Sequence, residues 1–363
     1  MSTPEVRLDR LRPAGIAAAM ARAPIAWVPL GALEYHADHL PNGTDGLTGH
    51  GLLVAAAERL GGVVLPWSYV TMGTLALPWS FRYDPALVAE TLRQTLRQLP
   101  PHGVRLAVIH TGHGPLDLNH LIKRVCAEVE AEGIGLQAMG LCYLELNAAL
   151  GTGLGTDWPV TVDHGSTMET SWTAALAPDL VVTDALPDDP AATVVGVYGP
   201  NPRFTVDAAL GAAQIAAAAA LLAERAAARL RGEVPDPFTD LRTFVERYWF
   251  EPLALDGRAG NPAVIGITNP SAVSRYLAGL DLRIDGALVP STGLSLVNPT
   301  VGEVSEPMAV GELGPERGFY VRRQQTAELR LPFQVAPGAH HVELTLSMAG
   351  VAEVKLAQEV AFS

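Results

Sequence analysis

Carboxylate and imidazole side chains are concentrated in one segment, GALEYHADHLPNGTDG, at residues 31–46. Glu34 and His36 are two positions apart, so on an extended segment both side chains project to the same face. His39 follows three positions after His36, and Asp45 follows nine positions after His36. These residue types act as general acids and bases, and together they are ligands that zinc and manganese use in proteins.

Two later segments add groups of the same kinds. An apolar run ends in HTGHG, which contains His110 and His113, and the segment DHGSTMET contributes His164 and Glu169. On a strand of an open α/β sheet, the two earlier histidines would lie at the carboxyl edge, where such sheets hold their ligands. Carboxylates and imidazoles that converge on strand ends indicate a divalent transition metal such as Zn²⁺ or Mn²⁺.

The elements that would position these groups alternate regularly over the first two thirds of the chain. Short apolar runs predict buried strands, and the segments between them carry leucine, valine and alanine at helical spacing. This alternation predicts a layered α/β domain with a largely parallel sheet. Strands are expected at 25–31, 63–70, 104–114 and 134–146, and helices at 46–62, 84–99, 116–133, 167–178 and 206–232.

The pattern changes after GEVPDPF, residues 232–238, where two prolines and two acidic residues indicate a linker. Further along, segments such as AELRLPFQV and HHVELTLSM alternate apolar and polar residues, and glycine- and proline-containing turns separate them. This arrangement is typical of a small antiparallel β-sandwich. We therefore predict two domains, residues 1–235 and residues 240–363.

Composition narrows the class of protein. Of the 363 residues, 48% are hydrophobic and 17% are charged, which excludes a disordered chain. The formal net charge is −13, and no cluster of lysine and arginine offers a site for nucleic acid or an anionic membrane. The longest apolar stretch, residues 212–223, is too short to span a bilayer. Cys126 and Cys142 make no disulfide framework, so we expect a cytoplasmic protein without nucleic-acid or membrane partners.

Three ordered motifs resemble those of the creatininase (creatinine amidohydrolase) family. They are GALEYHADHLPNGTD, TGHG and HGSTMETS, and MGTLAL at 72–77 resembles the family's G-T-x-x-L strand. The resemblance covers residues 25–230, and agreement of three motifs in order is specific. The residues that match the family pattern are Gly31, Glu34, His36, His39, Leu40, Pro41, Thr44, Asp45, Gly112, His113, His164, Glu169, Thr170 and Ser171.

The resemblance implies a binuclear metal-dependent hydrolase with a flavodoxin-like α/β core, usually assembled as a homohexamer. Carried over position by position, Asp45 would bridge two divalent ions, Zn²⁺ and/or Mn²⁺. Glu34 and His113 would complete one site, and His36 and Glu169 would complete the other. A hydroxide bridging the two ions would then cleave a C–N bond in a cyclic or other small-molecule amide substrate.

The third motif also supplies a catalytic candidate. The resemblance makes His164 the proton donor to the leaving nitrogen, and the alternative is that it only orients a metal ligand. Thr111 and Leu116 replace two asparagines of the family pattern, and Pro115 stands where the creatinine-cleaving members carry a glutamate. All five metal-ligand positions are kept, so metal binding is expected, whereas creatinine is disfavoured as the substrate.

Other interpretations stay open at this level. The same metal site could serve amide formation or peptide trimming in a biosynthetic pathway, or a metal-stabilised scaffold without catalysis. The segments LRIDGALVP and PGAHHVELTLSM are weakly similar to the small β-sandwich subunit of C-glycoside deglycosidases. His39 is expected to orient a metal ligand, and His110 is expected to pack or hydrogen-bond at its strand end. Trp158 could wall the substrate pocket or lie in the core.

Overall fold

The computed structural model divides the chain into two compact units, Met1–Leu241 and Arg242–Ser363. The boundary lies close to the proline-containing linker predicted at 232–238. The residues that the structure describes are 4–75, 77–150, 163–233, 253–269, 275–300, 303–304, 307–314, 319–321, 325–348 and 354–363.

A four-stranded parallel sheet forms the centre of the N-terminal unit, in the order β2-β1-β3-β4. Every residue of β1 and β3 is buried. Because successive side chains of a strand point to opposite faces, this burial means that both faces of the sheet are covered. The strands are β1 Ile25–Leu30, β2 Val63–Val64, β3 Leu106–Thr111 and β4 Gln137–Cys142.

Seven helices accompany this sheet among the described residues. Two of them begin with an aspartate cap: Asp84 accepts the N–H of Ala86, and Asp207 accepts the N–H groups of Ala209 and Leu210. The alternation of strands and helices confirms the predicted α/β architecture. The helices are α1 Pro13–Arg22, α2 Thr44–Leu60, α3 Pro85–Arg97, α4 Leu116–Ala131, α5 Tyr143–Leu150, α6 Thr167–Leu176 and α7 Ala208–Leu230.

Two predicted strands are shorter than the pattern suggested. Only Val63–Val64 of the run at 63–70 is a strand, and β4 ends at Cys142, where the chain turns directly into α5. The buried carboxylate of Glu145 explains the second difference. It accepts the N–H of Cys142 at 3.0 Å and pairs with Lys123 of α4, which stabilises a helical turn where the apolar pattern indicated a strand.

The alanine-rich helix α7 is, among the described residues, the one helix long and apolar enough to cross a membrane by length and composition. The apolar stretch predicted to be too short, residues 212–223, contains Gln214 and is only part of this 23-residue helix. Its buried positions include Ile215, Ala218 and Leu222, and the helix packs against α2 and α6 of the N-terminal unit.

The C-terminal unit is a β domain. Ten of its described strands join in one hydrogen-bonded sheet, with the path β12-β9-β14-β6-β5-β16-β15-β7-β13 and β8 on β7. All pairings are antiparallel except β5 with β16, which confirms the predicted antiparallel character of this region. The strands are β5 Ala254–Arg258, β6 Ala263–Asn269, β7 Arg275–Ile284, β8 Ala287–Val289, β9 Ser295–Val297, β10 Pro299–Thr300, β11 Glu303–Val304, β12 Met308–Ala309, β13 Phe319–Val321, β14 Gln325–Leu331, β15 Gly338–Met348 and β16 Val354–Phe362.

The core of this β domain comes from residues far apart in sequence. Ile265 of β6, Leu329 of β14 and Leu344 of β15 are fully buried and belong to one apolar cluster. Along β16, buried or half-buried positions alternate with exposed ones, as expected for a strand with one face on the core.

Candidate metal centre

The loop after β1 carries two of the predicted metal ligands. Glu34 and His36 lie in this loop, and both are buried. The N–H of Glu34 donates to the backbone oxygen of Asn42 at 2.9 Å, which folds the loop back toward α2. Asp45 lies in the first turn of α2, where the helix dipole favours a carboxylate.

The turn after β3 brings His113 against the start of α2. A Cβ atom on Gly112 would lie 2.2 Å from the backbone oxygen of Asp45, so this close approach requires glycine. Thr111, which replaces a family asparagine, accepts the N–H of His113 on its hydroxyl at 3.0 Å. The TGHG motif therefore places His113 beside Asp45.

The carboxylate of Asp45 lies between two histidines. Its Oδ1 atom is 3.2 Å from His36 Nε2, and its Oδ2 atom is 3.1 Å from His113 Nδ1. Glu169 Oε2 lies 3.3 Å from the same nitrogen of His36, and Glu34 Oε2 lies 3.1 Å from the same nitrogen of His113. The structure thus brings all five predicted ligands into two groups that share Asp45.

We call these groups the first triad, formed by Glu34, Asp45 and His113, and the second triad, formed by His36, Asp45 and Glu169. Within each triad the ligand atoms lie within 4.8 Å of one another. All five side chains are buried, and among the described residues both oxygens of Asp45, Glu34 Oε2 and His36 Nε2 make no well-aligned hydrogen bond. Buried polar atoms normally have hydrogen-bond partners. A concentration of buried oxygen and nitrogen atoms without such partners therefore fits a bound cation.

The ring orientation of His36 gives an independent argument for a cation. His36 Nδ1 lies 2.9 Å from the backbone oxygen of Glu34, which only accepts, so Nδ1 carries a hydrogen. In neutral His36 the lone pair of Nε2 then faces carboxylate oxygens of Asp45 and Glu169. A proton or a metal ion must separate these electron-rich atoms, and a nitrogen-oxygen donor set of this kind fits Zn²⁺ or Mn²⁺.

Backbone groups hold the outer ligands in place. The N–H of Leu75 donates to Glu34 Oε1, which leaves Oε2 toward His113. The N–H of Gly165 donates to Glu169 Oε2 at 2.6 Å. Such contacts orient ligand side chains before any ion binds.

Electrostatics within the cluster favour the charged forms of Glu34, His36, Asp45 and His113, whereas burial raises the pKa of Glu169. Burial by itself would lower the pKa of both histidines, but the Asp45 and Glu169 carboxylates raise the pKa of His36 well above its usual value. Glu34 and Asp45 likewise outweigh burial and raise the pKa of His113 to about 10. Burial would raise the pKa of Glu34 and Asp45, but the neighbouring histidines lower both to about 2.

His164, the predicted catalytic residue, lies at the edge of the first triad. Its Nδ1 atom is 3.9 Å from Glu34 Oε2, and its ring lies 4.2 Å from that of His36 between centroids. Its Nε2 atom lies 2.9 Å from the backbone oxygen of Tyr35. This contact places the hydrogen on Nε2 of the neutral ring and directs Nδ1 toward the cluster.

The remaining histidines of the motifs lie outside the two triads. His39, predicted to orient a metal ligand, has its Nε2 atom 3.0 Å from the hydroxyl of Thr170, the residue after Glu169. His110 is fully buried in β3, and neither of its ring nitrogens has a hydrogen-bond partner in the part of the chain that the structure describes. Of the two predicted alternatives, packing or a hydrogen bond, the structure shows packing. Trp158 lies outside the described residues.

Two residues beside the cluster, Asp163 and Tyr143, have no role predicted from the motifs. The Asp163 carboxylate accepts N–H groups of Ser166, Met168 and Glu169, and the Tyr143 hydroxyl donates to the Asp163 backbone oxygen at 3.2 Å. Aspartate is a residue type that caps helix starts, but Asp163 lies three residues before Ser166, the N-cap residue of α6. No sequence pattern indicated Tyr143, because its contact with Asp163 depends on where β4 ends.

Comparison with known proteins supports the assignment made from the motifs. Residues 10–233 match the creatininase family, described as creatinine amidohydrolase. The chain belongs to the creatininase family. A creatinine amidohydrolase from Pseudomonas putida is 29% identical over 228 residues, which cover 58% of this chain and 83% of the relative. Creatininase-family members are metal-dependent amidohydrolases, and this chain is therefore an enzyme of that class.

Solved creatininase structures share the fold of the N-terminal unit. An Mn form of creatininase has a TM-score of 0.52 and 23% identity, covering 62% of this chain and 98% of that one. A mutant creatininase of the Zn-Zn type has a TM-score of 0.50, with the same identity and coverage. The match to the family ends at residue 233, before the C-terminal β domain.

Proposed function

We propose that this creatininase-family enzyme holds two divalent ions and cleaves the C–N bond of a small-molecule amide. One observation carries the proposal: Asp45 belongs to both triads and presents a different carboxylate oxygen to each histidine. A carboxylate placed in this way can bridge two ions, with Glu34 and His113 on one side and His36 and Glu169 on the other.

The donor set is compatible with Zn²⁺ and with Mn²⁺, the metals named for the two solved relatives. When bound, two divalent ions lower the pKa of a water molecule and polarise the substrate carbonyl group. The protein contributes ligands that are already oriented and a site with little access for bulk water, since all five ligands are buried.

His164 is the residue proposed to move the proton. Because Nε2 donates to the Tyr35 backbone oxygen, Nδ1 is the nitrogen available to the reacting groups. In its protonated form, Nδ1 can donate to a leaving nitrogen, and it lies 3.9 Å from Glu34 Oε2 in the first triad. The Tyr35 carbonyl keeps the imidazole oriented during the transfer.

The substrate proposed is a cyclic or other small-molecule amide different from creatinine. Pro115 immediately precedes α4 and offers no ligand at the position where creatinine-cleaving members carry a glutamate. Residues 1–235 form the catalytic domain in this proposal, and residues 240–363 an accessory β domain. A cytoplasmic homo-oligomer is proposed for the whole chain.

The metal content per chain tests the central claim. We would measure zinc and manganese by elemental analysis in wild type, Asp45→Asn and Glu169→Gln, purified without chelators. We expect close to two ions in wild type, loss of both in D45N and loss of one in E169Q. Asp38→Asn is the matched control, because Asp38 lies exposed in the same loop and bonds only Tyr35 among described contacts. One ion or none in wild type would overturn the binuclear proposal.

A substrate panel then tests the reaction. Lactams, linear amides and short peptides would be incubated with the metal-loaded enzyme over a range of pH. Turnover of lactams or small amides supports the proposal, whereas turnover of peptides alone would replace it with a peptide-trimming activity. Two bound ions without hydrolysis of any amide would indicate the scaffold function.

A further inference from the structure

The turn that joins His164 to Glu169 is organised by one buried carboxylate. Asp163 Oδ1 accepts the N–H of Ser166 at 3.1 Å and that of Glu169 at 3.2 Å, and its Oδ2 accepts the N–H of Met168 at 2.8 Å. Three backbone donors at the start of α6 therefore converge on a single side chain. Both oxygens are engaged by the backbone, which distinguishes Asp163 from the ligands of the two triads.

The Glu169 side chain closes the same turn from the other direction. Its Oε2 atom accepts the N–H of Gly165 at 2.6 Å while lying 3.3 Å from His36 Nε2. The position of this oxygen thus depends on the backbone conformation between residues 163 and 169. That conformation is set by the Asp163 contacts, because the N–H of Glu169 itself is one of the three donors.

A tyrosine fixes the turn relative to the rest of the site. The Tyr143 hydroxyl donates to the Asp163 backbone oxygen at 3.2 Å. A Cβ atom on Gly114 would lie 2.9 Å from that hydroxyl, so the Tyr143 ring contacts the turn that carries His113. The Asp163 backbone is therefore connected through Tyr143 to the turn of the first triad. Its side chain binds the backbone N–H of Glu169, a member of the second triad.

We propose that Asp163 is a positioning residue for the second triad: its carboxylate holds the turn 163–169 so that Glu169 keeps an oxygen beside His36. This inference rests on the proposed function, because it concerns binding of the second of two ions. Contacts that orient a metal ligand typically change metal affinity by about 10–100-fold when they are removed. Asp163→Ala should therefore weaken one ion by that factor and leave the other unchanged.

The experiment is a zinc titration of chelator-treated protein against a chromophoric competitor. It would compare wild type, D163A and Asp207→Ala. Asp207 is the matched control, because its carboxylate caps α7 through the N–H groups of Ala209 and Leu210 and, among the described contacts, does not touch the triads. We expect two tight sites in wild type and D207A, and one tight and one weakened site in D163A. Equal affinities in D163A and D207A would overturn the proposal and leave Asp163 as a helix cap.

A double variant shows whether Asp163 acts through Glu169. If it does, D163A combined with Glu169→Gln should bind zinc no more weakly than E169Q alone. Affinity losses that multiply in the double variant would contradict a positioning role.

If circular dichroism shows that D163A does not fold, Asp163→Asn serves instead, since asparagine keeps one acceptor oxygen and loses the other. D163N should weaken the same ion by a smaller factor, and wild-type affinity in D163N would overturn the proposal.

Failure of the two proposals can be distinguished in this titration. Fewer than two zinc sites in wild type would overturn both the binuclear function and the positioning role of Asp163. Two sites in wild type with no change in D163A or D163N would overturn the positioning role alone.

Discussion

His164 Nε2 lies 2.9 Å from the backbone oxygen of Tyr35. A carbonyl oxygen only accepts hydrogen bonds, so this contact assigns the hydrogen of the neutral ring to Nε2. The opposite nitrogen, Nδ1, then faces the metal-ligand cluster. The backbone of one residue therefore decides which nitrogen of the other is available for proton transfer.

Replacement of His164 by glutamine separates proton transfer from metal binding. The amide can still donate to the Tyr35 oxygen but cannot transfer a proton as imidazole does. We expect H164Q to retain two ions per chain and to lose about 10²–10⁴-fold in kcat toward an amide identified in the panel. Elemental analysis and steady-state kinetics on the same preparation check this. Unchanged kcat would show that His164 only orients Glu34.

Metal binding should release protons. Carboxylates of the cluster raise the pKa of His113 to about 10 and raise that of His36 well above its usual value, so both are protonated in the metal-free protein at pH 7. Ligation requires neutral imidazole, so loading both triads should release about two protons per chain. Affinity should therefore rise with pH until both histidines are neutral. Calorimetry in buffers of different ionisation enthalpy measures the number of protons released per chain. No proton release at pH 7 would contradict the assignment of His36 and His113 as metal ligands.

The raised pKa of His113 should make the stability of the metal-free protein sensitive to alkaline pH. The folded-state pKa of His113 lies above its unfolded value, so its contribution to stability is present below about pH 6.5 and is lost as pH rises through about 10. The chelated protein should therefore lose stability from pH 7 to pH 10. Urea unfolding at both pH values tests this, and His113→Gln should flatten the change.

Replacement of the buried His110 should stabilise the protein. Neither ring nitrogen has a hydrogen-bond partner among the described residues, and burial lowers the pKa of His110 to about 3. Because its folded-state pKa is depressed, stability is lost as pH falls below about 6.5, at about 1.4 kcal/mol per pH unit until the folded protein also binds the proton. His110→Leu should raise the free energy of unfolding by about 1–3 kcal/mol at pH 7 and reduce its fall toward pH 5.

Denaturant unfolding at pH 7 and pH 5 provides the comparison. The control is His102→Leu, since His102 is exposed in a short 3₁₀ turn and its replacement should change little. Lower stability of H110L at pH 7 would indicate that the His110 ring has a stabilising polar contact.

A backbone constraint at Trp79 gives a stability prediction independent of metal. Trp79 has a φ of 59° and is 77% exposed, so a bulky residue occupies the left-handed region with little packing in return. Left-handed backbone costs about 1–2 kcal/mol for residues with a Cβ atom, and glycine avoids this cost. Trp79→Gly should therefore be about 1 kcal/mol more stable than Trp79→Ala. The pair is compared by thermal unfolding, and equal stability would contradict the strain.

Several elements follow from local pattern. The apolar run at 25–31 forms β1, and the helical spacing at 116–133 forms α4, each within two residues of the predicted ends. The same pattern was misleading at 134–146, where the last residues form α5. There the deciding contacts of Glu145, with Lys123 and the N–H of Cys142, override the apolar periodicity.

The motifs predict five ligand residues and their order along the chain, and local patterns predict the strands and helices next to them. Neither the motifs nor the patterns show that Asp45 presents one oxygen to His36 and the other to His113, or that the Asp163 carboxylate accepts the N–H of Glu169; these contacts appear only in the folded chain. The physical reason is that periodicity and capping are local, whereas distances between side chains on α2, the turn after β3 and α6 depend on how these elements pack.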